Sequence, residues 1–169
     1  MAKPKHGEYN PDFQGYMDLV EEGDLLLLLK ENTSQAIEFF NNIDPLKHNY
    51  KYADGKWSIK EVLMHIIDTE RVFAYRALAT IRGDKSTLPS MDENHYAANV
   101  SVSSRTLESL IDEFTIVRKS SELLYENSSE TDLANECNLL PYKITANATG
   151  YFMIGHLNHH IEVIKDRYL

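Results

Sequence analysis

A chain of 169 residues with 43% hydrophobic and 25% charged side chains can bury one core without covalent staples, and has the balance of an ordinary globular domain. Its 26 acidic against 17 basic residues give a formal charge of -9, which with no basic stripe in view argues against a phosphate-backbone binder. The single cysteine, Cys137, excludes an internal disulfide, fits a reducing compartment and, with no histidine beside it, reads as a bystander thiol.

The opening residues, Met1-Ala2-Lys3-Pro4-Lys5-His6-Gly7, carry charge with no apolar stretch behind them and do not read as a signal peptide. Leu25 to Leu29 is far too short to span a bilayer, so no membrane contact is expected and cytoplasm is the expected location. Pro4, Gly7, Pro11 and Gly15 mark residues 1–15 as a surface arm, with Tyr16 to Val20 a short helical turn. Asp24 has the chemistry of an N-cap, and Leu25, Leu28, Leu29, Ala36, Ile37, Phe39, Phe40 and Ile43 predict a first long helix that Pro45 ends. After the turn signal Asp54-Gly55, Ser58 and Glu61 form a capping box that Trp57 and Val62 are placed to staple. The apolar face that follows runs to Gly83, a C-cap signal, and predicts the second helix.

Gly83 to Ser103 is a connection of roughly twenty residues around Pro89, longer than helix connections usually are and therefore expected to have a task. Leu107, Leu110, Ile111, Phe114, Val117, Ser121 and Leu124 predict a third helix from near Ser104 to Asn127. Ser128 to Lys143 is a second long connection, and a fourth helix is predicted from Thr145 to Leu169. No strand alternation of useful length is visible. The expectation is one all-α domain over residues 1–169, a four-helix bundle with long crossover loops whose core can hold a metal on facing helices.

The chemistry concentrates in Gly155-His156-Leu157-Asn158-His159-His160. In a helix, His156 and His160 lie one turn apart on one face and can converge on a single ion. His159 is a rival ligand, but His160 lies closer to the azimuth of His156. A catalytic centre of the zinc type takes three protein ligands and leaves a position open. Of the other histidines only His65 lies inside a strongly helical, apolar segment, whereas His48 and His95 fall in loops and His6 in the arm, all three expected exposed. Three neutral imidazoles suit zinc, nickel or iron and do not choose among them. The segment is not a zincin, since no glutamate follows His156.

Asp68, at i+3 from His65, could reach the site as an orienting group or as a base. Glu70 falls on the apolar stripe of the second helix, where a carboxylate needs a partner, and Arg118 on the apolar side of the third helix is a candidate for a structural ion pair. Arg71 and Arg76 read as solvated or substrate-facing, and Tyr96 is placed to close over a pocket.

Tyr52-Ala53-Asp54-Gly55-Lys56-Trp57-Ser58-Ile59-Lys60-Glu61-Val62-Leu63-Met64-His65, then Asp68-Thr69-Glu70-Arg71, Tyr75-Arg76-Ala77-Leu78 and Arg82-Gly83-Asp84, resembles the DinB/YfiT-like family. The segment from Gly155 to His160 is similar to that family's second signature, and Arg118 matches a recurring arginine between the two. The resemblance runs from about Tyr16 to the end and implies a four-helix bundle with long crossovers, often a homodimer, with a divalent metal on His65, His156 and His160. It further implies a metal-dependent hydrolase acting on a small electrophile, or a transferase using a low-molecular-weight thiol such as bacillithiol or mycothiol. Zinc or nickel is the expected ion, with iron or manganese as alternatives. The reading from another class is a stress-related bundle that binds metal without catalysis.

Overall fold

Each long helix begins on the capping residue its sequence supplies. In this computed structural model, which describes residues 1–139 and 141–169, the Asp24 carboxylate accepts from the backbone N–H groups of Leu26 and Leu27 to open α2, Leu25–Asn41. Ser58 and Glu61 form the reciprocal capping box of α3, Ile59–Ile81. Thr106 caps α5, Leu107–Glu126, and Thr145 caps α7, Ala146–Arg167. These four pack as a bundle, α3 chiefly on α7 and α5, and α2 on α5 and α7.

The core divides along the bundle axis. One apolar cluster joins Phe73, Ala77 and Ile81 of α3 to Tyr151, Phe152 and Ile154 of α7; the other joins Leu63, Ile66 and Ile67 to Leu157, Ile161 and Ile164. The N-terminal half of α3 therefore meets the C-terminal half of α7, so the two helices run antiparallel. The change from one cluster to the other falls between Ile67 and Phe73 on α3 and between Ile154 and Leu157 on α7. Glu70 and His156 lie in those two intervals. Polar groups are thus held at the waist of the bundle, with apolar packing on either side to exclude water.

Three parts of the chain differ from expectation. The arm over residues 1–15 is more than a surface segment: Tyr9 is buried, its ring stands edge-on to Phe152, and the Thr145 N–H donates to the Glu8 carbonyl. A 3-10 turn, Pro11–Phe13, leads from the arm into α1, Gln14–Asp18. The connection after α3 contains α4, Glu93–Asn99, capped by Asp92. The connection before α7 contains α6, Glu130–Leu133, and an antiparallel hairpin of β1, Glu136–Leu139, with β2, Tyr142–Thr145, in which Glu136 faces Thr145. Four-residue strands with few inward side chains give too little alternation to be seen in sequence.

The hairpin positions the site. Thr87 bridges to Asn138 and the Leu88 N–H donates to the Asn138 carbonyl, which anchors the long α3–α5 connection against β1. Pro89, Ser90 and Met91 are thereby held over the side of α3. Cys137 is buried in the core, without a disulfide partner.

Candidate metal centre

His65 comes from the second turn of α3, and His156 and His160 from successive turns of α7. The antiparallel packing of the two helices brings their rings together. His156 Nε2 lies 3.1 Å from His65 Nε2 and 3.1 Å from His160 Nε2, and the three ligand atoms all fall within 4.8 Å of one another.

Hydrogen bonding cannot satisfy this cluster. An imidazole nitrogen offers one proton or one lone pair, so His156 Nε2 can complete a bond to one neighbour and not to both. A single cation accepts all three lone pairs at once. Ligands about 2.0–2.1 Å from a tetrahedral ion stand roughly 3.3–3.4 Å apart, close to the 3.1 Å that separates His156 from each of the other two. The protonation states also fit. Burial lowers the pKa of His65 to about 4, and burial followed by the neighbouring His65 and His159 lowers that of His160 to about 3. Burial and then the His160 and His65 rings hold His156 well below the usual imidazole range. All three are neutral near pH 7, the form in which imidazole binds metal. The donor set and its geometry fit a divalent ion.

The surrounding side chains fix the rings. Thr69 Oγ1, one turn on from His65, stands 3.5 Å from His65 Nδ1, and the Trp57 ring packs 4.9 Å from the His65 ring. Tyr16 meets His156 edge-on at 5.6 Å, and Phe73 closes another side at 6.0 Å. Tyr16 comes this close because residue 155 is glycine: a Cβ there would lie 2.2 Å from the Tyr16 carbonyl oxygen. His159 lies outside the cluster, with its ring against Tyr16 at 5.4 Å.

The three histidines line a cavity of about 800 Å³. Its walls come from α3, α7, the 3-10 turn and α1, and the connection carrying Pro89 and Met91, so residues distant in sequence close one space. Glu93 is the carboxylate among the described lining residues and Arg76 the guanidinium. A neighbouring cavity of about 270 Å³, lined in part by Tyr52, Lys56, His159 and Tyr168, shares Trp57, Asn94 and His160 with the first.

Other residues singled out in the sequence occupy distinct places. Asp68 does not line the large cavity; its carboxylate faces Arg71, and it shares only a narrow crevice with His65. Burial raises its pKa against the opposing influence of Arg71. Glu70 and Arg118 form the expected buried ion pair, Oε2 to Nη2 at 3.0 Å. Arg71 is exposed and pairs with Asp68 and Glu113. Arg76, by contrast, is buried rather than solvated, and donates from Nη2 to the Pro89 carbonyl at 2.8 Å. His6 and His95 are exposed, whereas His48 is half-buried against the Ile43 carbonyl. Tyr96 borders two lesser clefts beside Asp68 and leaves the histidine cavity to Pro89 and Met91. Tyr16, Thr69 and Glu93 also line the site, and none is among the candidate site residues read from the sequence. Thr69 lies at i+4 from His65, a signal available in the sequence, while Tyr16 and Glu93 arrive through tertiary packing.

A sequence profile described as the DinB superfamily matches residues 28–164. The chain belongs to the DinB superfamily. No curated protein matches it significantly in sequence. Among solved structures, this DinB chain is similar to YfiT from Bacillus subtilis, described as a probable metal-dependent hydrolase with an unusual four-helix bundle topology. The TM-score is 0.74 at 14% identity over 97% of this chain and 90% of that one. A mycothiol-dependent maleylpyruvate isomerase aligns with a TM-score of 0.63 at 11% identity, over 85% of this chain and 59% of the isomerase. A DinB-like protein from Bacillus subtilis gives 0.59 at 17% identity, over 85% and 88%. At these identities the likenesses establish a shared fold. No helix among the described residues is long and apolar enough to cross a membrane.

Proposed function

We propose that this DinB protein is a metal-dependent hydrolase of small electrophilic molecules, with a divalent ion, zinc or nickel before iron or manganese, held by His65, His156 and His160. The observation that carries this reading is the convergence of three neutral Nε2 atoms that cannot satisfy one another, on the wall of a cavity large enough for a small molecule. An ion bound there would supply a Lewis acid that lowers the pKa of water toward neutrality.

The chain's own residues do the rest. Thr69 holds the orientation of His65, and Tyr16 and Phe73 hold that of His156. Phe13, Trp57 and Phe73 keep the cavity wall apolar, so that a substrate displaces water on entry. Glu93, at the first turn of α4, is the carboxylate placed to take a proton inside the cavity. Asp68 shares the narrow crevice with His65 and acts on it only through the solvent of that crevice, its carboxylate being held by Arg71.

Thiol transfer is the second reading. The volume of about 800 Å³ and the adjoining chamber at His160 leave room for a low-molecular-weight thiol beside an electrophile, and the similar isomerase is mycothiol-dependent. Elemental analysis of protein purified without an affinity tag tests the shared premise, with about one divalent ion per chain expected. Hydrolysis of activated esters or amides without added thiol supports the hydrolase; turnover only with thiol supports transfer. A closed fourth ligand from protein and no turnover would favour the non-catalytic bundle. We further propose a cytoplasmic homodimer, testable by fractionation and by light scattering.

A further inference from the structure

Arg76 has no counter-ion among the described residues. Its residue is 6% exposed, it takes part in no salt bridge among the described residues, and its one hydrogen bond goes to the Pro89 carbonyl. Nε is buried without a partner. Its side chain borders both the histidine cavity and the cleft on the far side of Pro89. Burial draws its pKa down, so the fold bears a cost for keeping this charge inside. A guanidinium serving only to hold Pro89 would be a poor choice, since a neutral donor makes that bond without the desolvation penalty.

The position has a direction. The Phe73 ring adjoins both features, its centroid 6.0 Å from the His156 ring and 5.8 Å from Cζ of Arg76, and all three line the cavity. A small molecule lying along Phe73 therefore touches the histidines at one end and the guanidinium at the other. We propose that Arg76 is the anion-binding end of this cavity, and that the substrate carries a carboxylate in addition to the electrophilic centre presented to the histidines. The planar fork of arginine suits a carboxylate, and the remaining Nη hydrogens are the donors. Charge explains the selectivity: with Glu93 lining the same cavity and a protein of net charge -9, Arg76 is the feature that would admit an anion. This inference rests on the histidine cavity being the substrate site, but not on the ion being present.

The test uses the full chain after metal removal, so that carboxylates cannot bind an ion directly. Acetate, butyrate and benzoate are titrated calorimetrically against acetamide, butyramide and benzamide, while the Arg76 side-chain N–H resonance is followed by NMR. Carboxylates are expected to bind at least about tenfold more tightly than the matching amides and to shift that resonance. Arg76→Met should abolish the preference with no loss in Tm, because an unpaired buried charge is removed. Arg76→Lys, the fallback if the methionine variant does not fold, should keep a weakened preference. Equal binding of acids and amides, an unmoved resonance, or a preference that survives in Arg76→Met overturns the proposal. A lower Tm in Arg76→Met with no carboxylate preference in the parent would assign Arg76 to anchoring Pro89 instead. Metal content of the untreated protein is measured separately: its absence would defeat the metal reading and leave the carboxylate result standing.

Discussion

Arg118 and Arg76 are both buried inside the bundle, in regions built differently. Around Arg118, Glu70 supplies the opposite charge, Asn32 accepts from Nη1 at 3.1 Å and the Met153 carbonyl accepts from Nη2. Asn32 passes the connection to Asn158 at 2.7 Å, and Asn158 donates to the Leu19 carbonyl at 2.9 Å. Glu70 Oε1 and Arg118 Nε lack partners, as Arg76 Nε does, but here the two charges neutralise each other, and the layer ties α2, α3, α5 and α7 to the end of α1. Around Arg76 and the histidines the polar groups line a cavity, and the charge of Arg76 has no opposite partner among the described residues. The difference separates a polar region that specifies packing from one arranged for something that binds.

The contrast is broken most completely from the ligand side. His156→Ala is expected to reduce bound metal from about one equivalent to near zero by elemental analysis, while His159→Ala leaves it unchanged. Loss of metal in His159→Ala with retention in His160→Ala would mean that the register on α7 is wrong. From the structural side, Arg118→Ala strands the Glu70 carboxylate and should cost about 3–5 kcal/mol in urea denaturation. Because Asn158 lies between His156 and His160 on α7, the same variant should also weaken metal binding, whereas loss of metal with unchanged stability would contradict the structural role.

Gly155→Ala probes the seam between the two regions. Its methyl meets the Tyr16 carbonyl, so α1 must shift, at a cost of about 1–3 kcal/mol and with Tyr16 drawn from His156. Tyrosine fluorescence and metal affinity should change together. The last test is the pH dependence of stability. In metal-free protein the unfolded chain protonates His65 and His160 near pH 6.5, while the folded chain does so only near 4 and 3. Between those limits the unfolded state holds more protons, so stability is retained above pH 6.5 and falls as pH is lowered, by up to about 1.4 kcal/mol per pH unit for each group. Urea titrations from pH 4 to 8 should show that slope, and His65→Ala together with His160→Ala should flatten it.

Much of the fold was legible because the long helices announce themselves locally. Asp24, the Ser58–Glu61 box, and the three- and four-residue apolar intervals bear on groups within one or two turns, and the helices start where those signals place them. The Glu70–Arg118 pair was legible for a related reason: charges on apolar stripes of two helices must meet or remain unpaired. The hairpin was not, since Cys137 and Ile144 are too few inward positions to set a period of two. Nor was the burial of Tyr9, in an arm whose prolines and glycines suggest a surface path.

Sequence alone determined the helical architecture, the interval between His156 and His160 on one helix face, and the suitability of His65 as their partner, because helical periodicity converts spacing into direction. Only the tertiary structure decided that α3 and α7 run antiparallel with their polar waists aligned, that Tyr16 and Glu93 join the histidines, that Asp68 faces Arg71 instead, and that Arg76 lies buried without a counter-ion among the described residues. Those outcomes depend on which elements pack together, and contacts across scores of residues leave no local period in the chain.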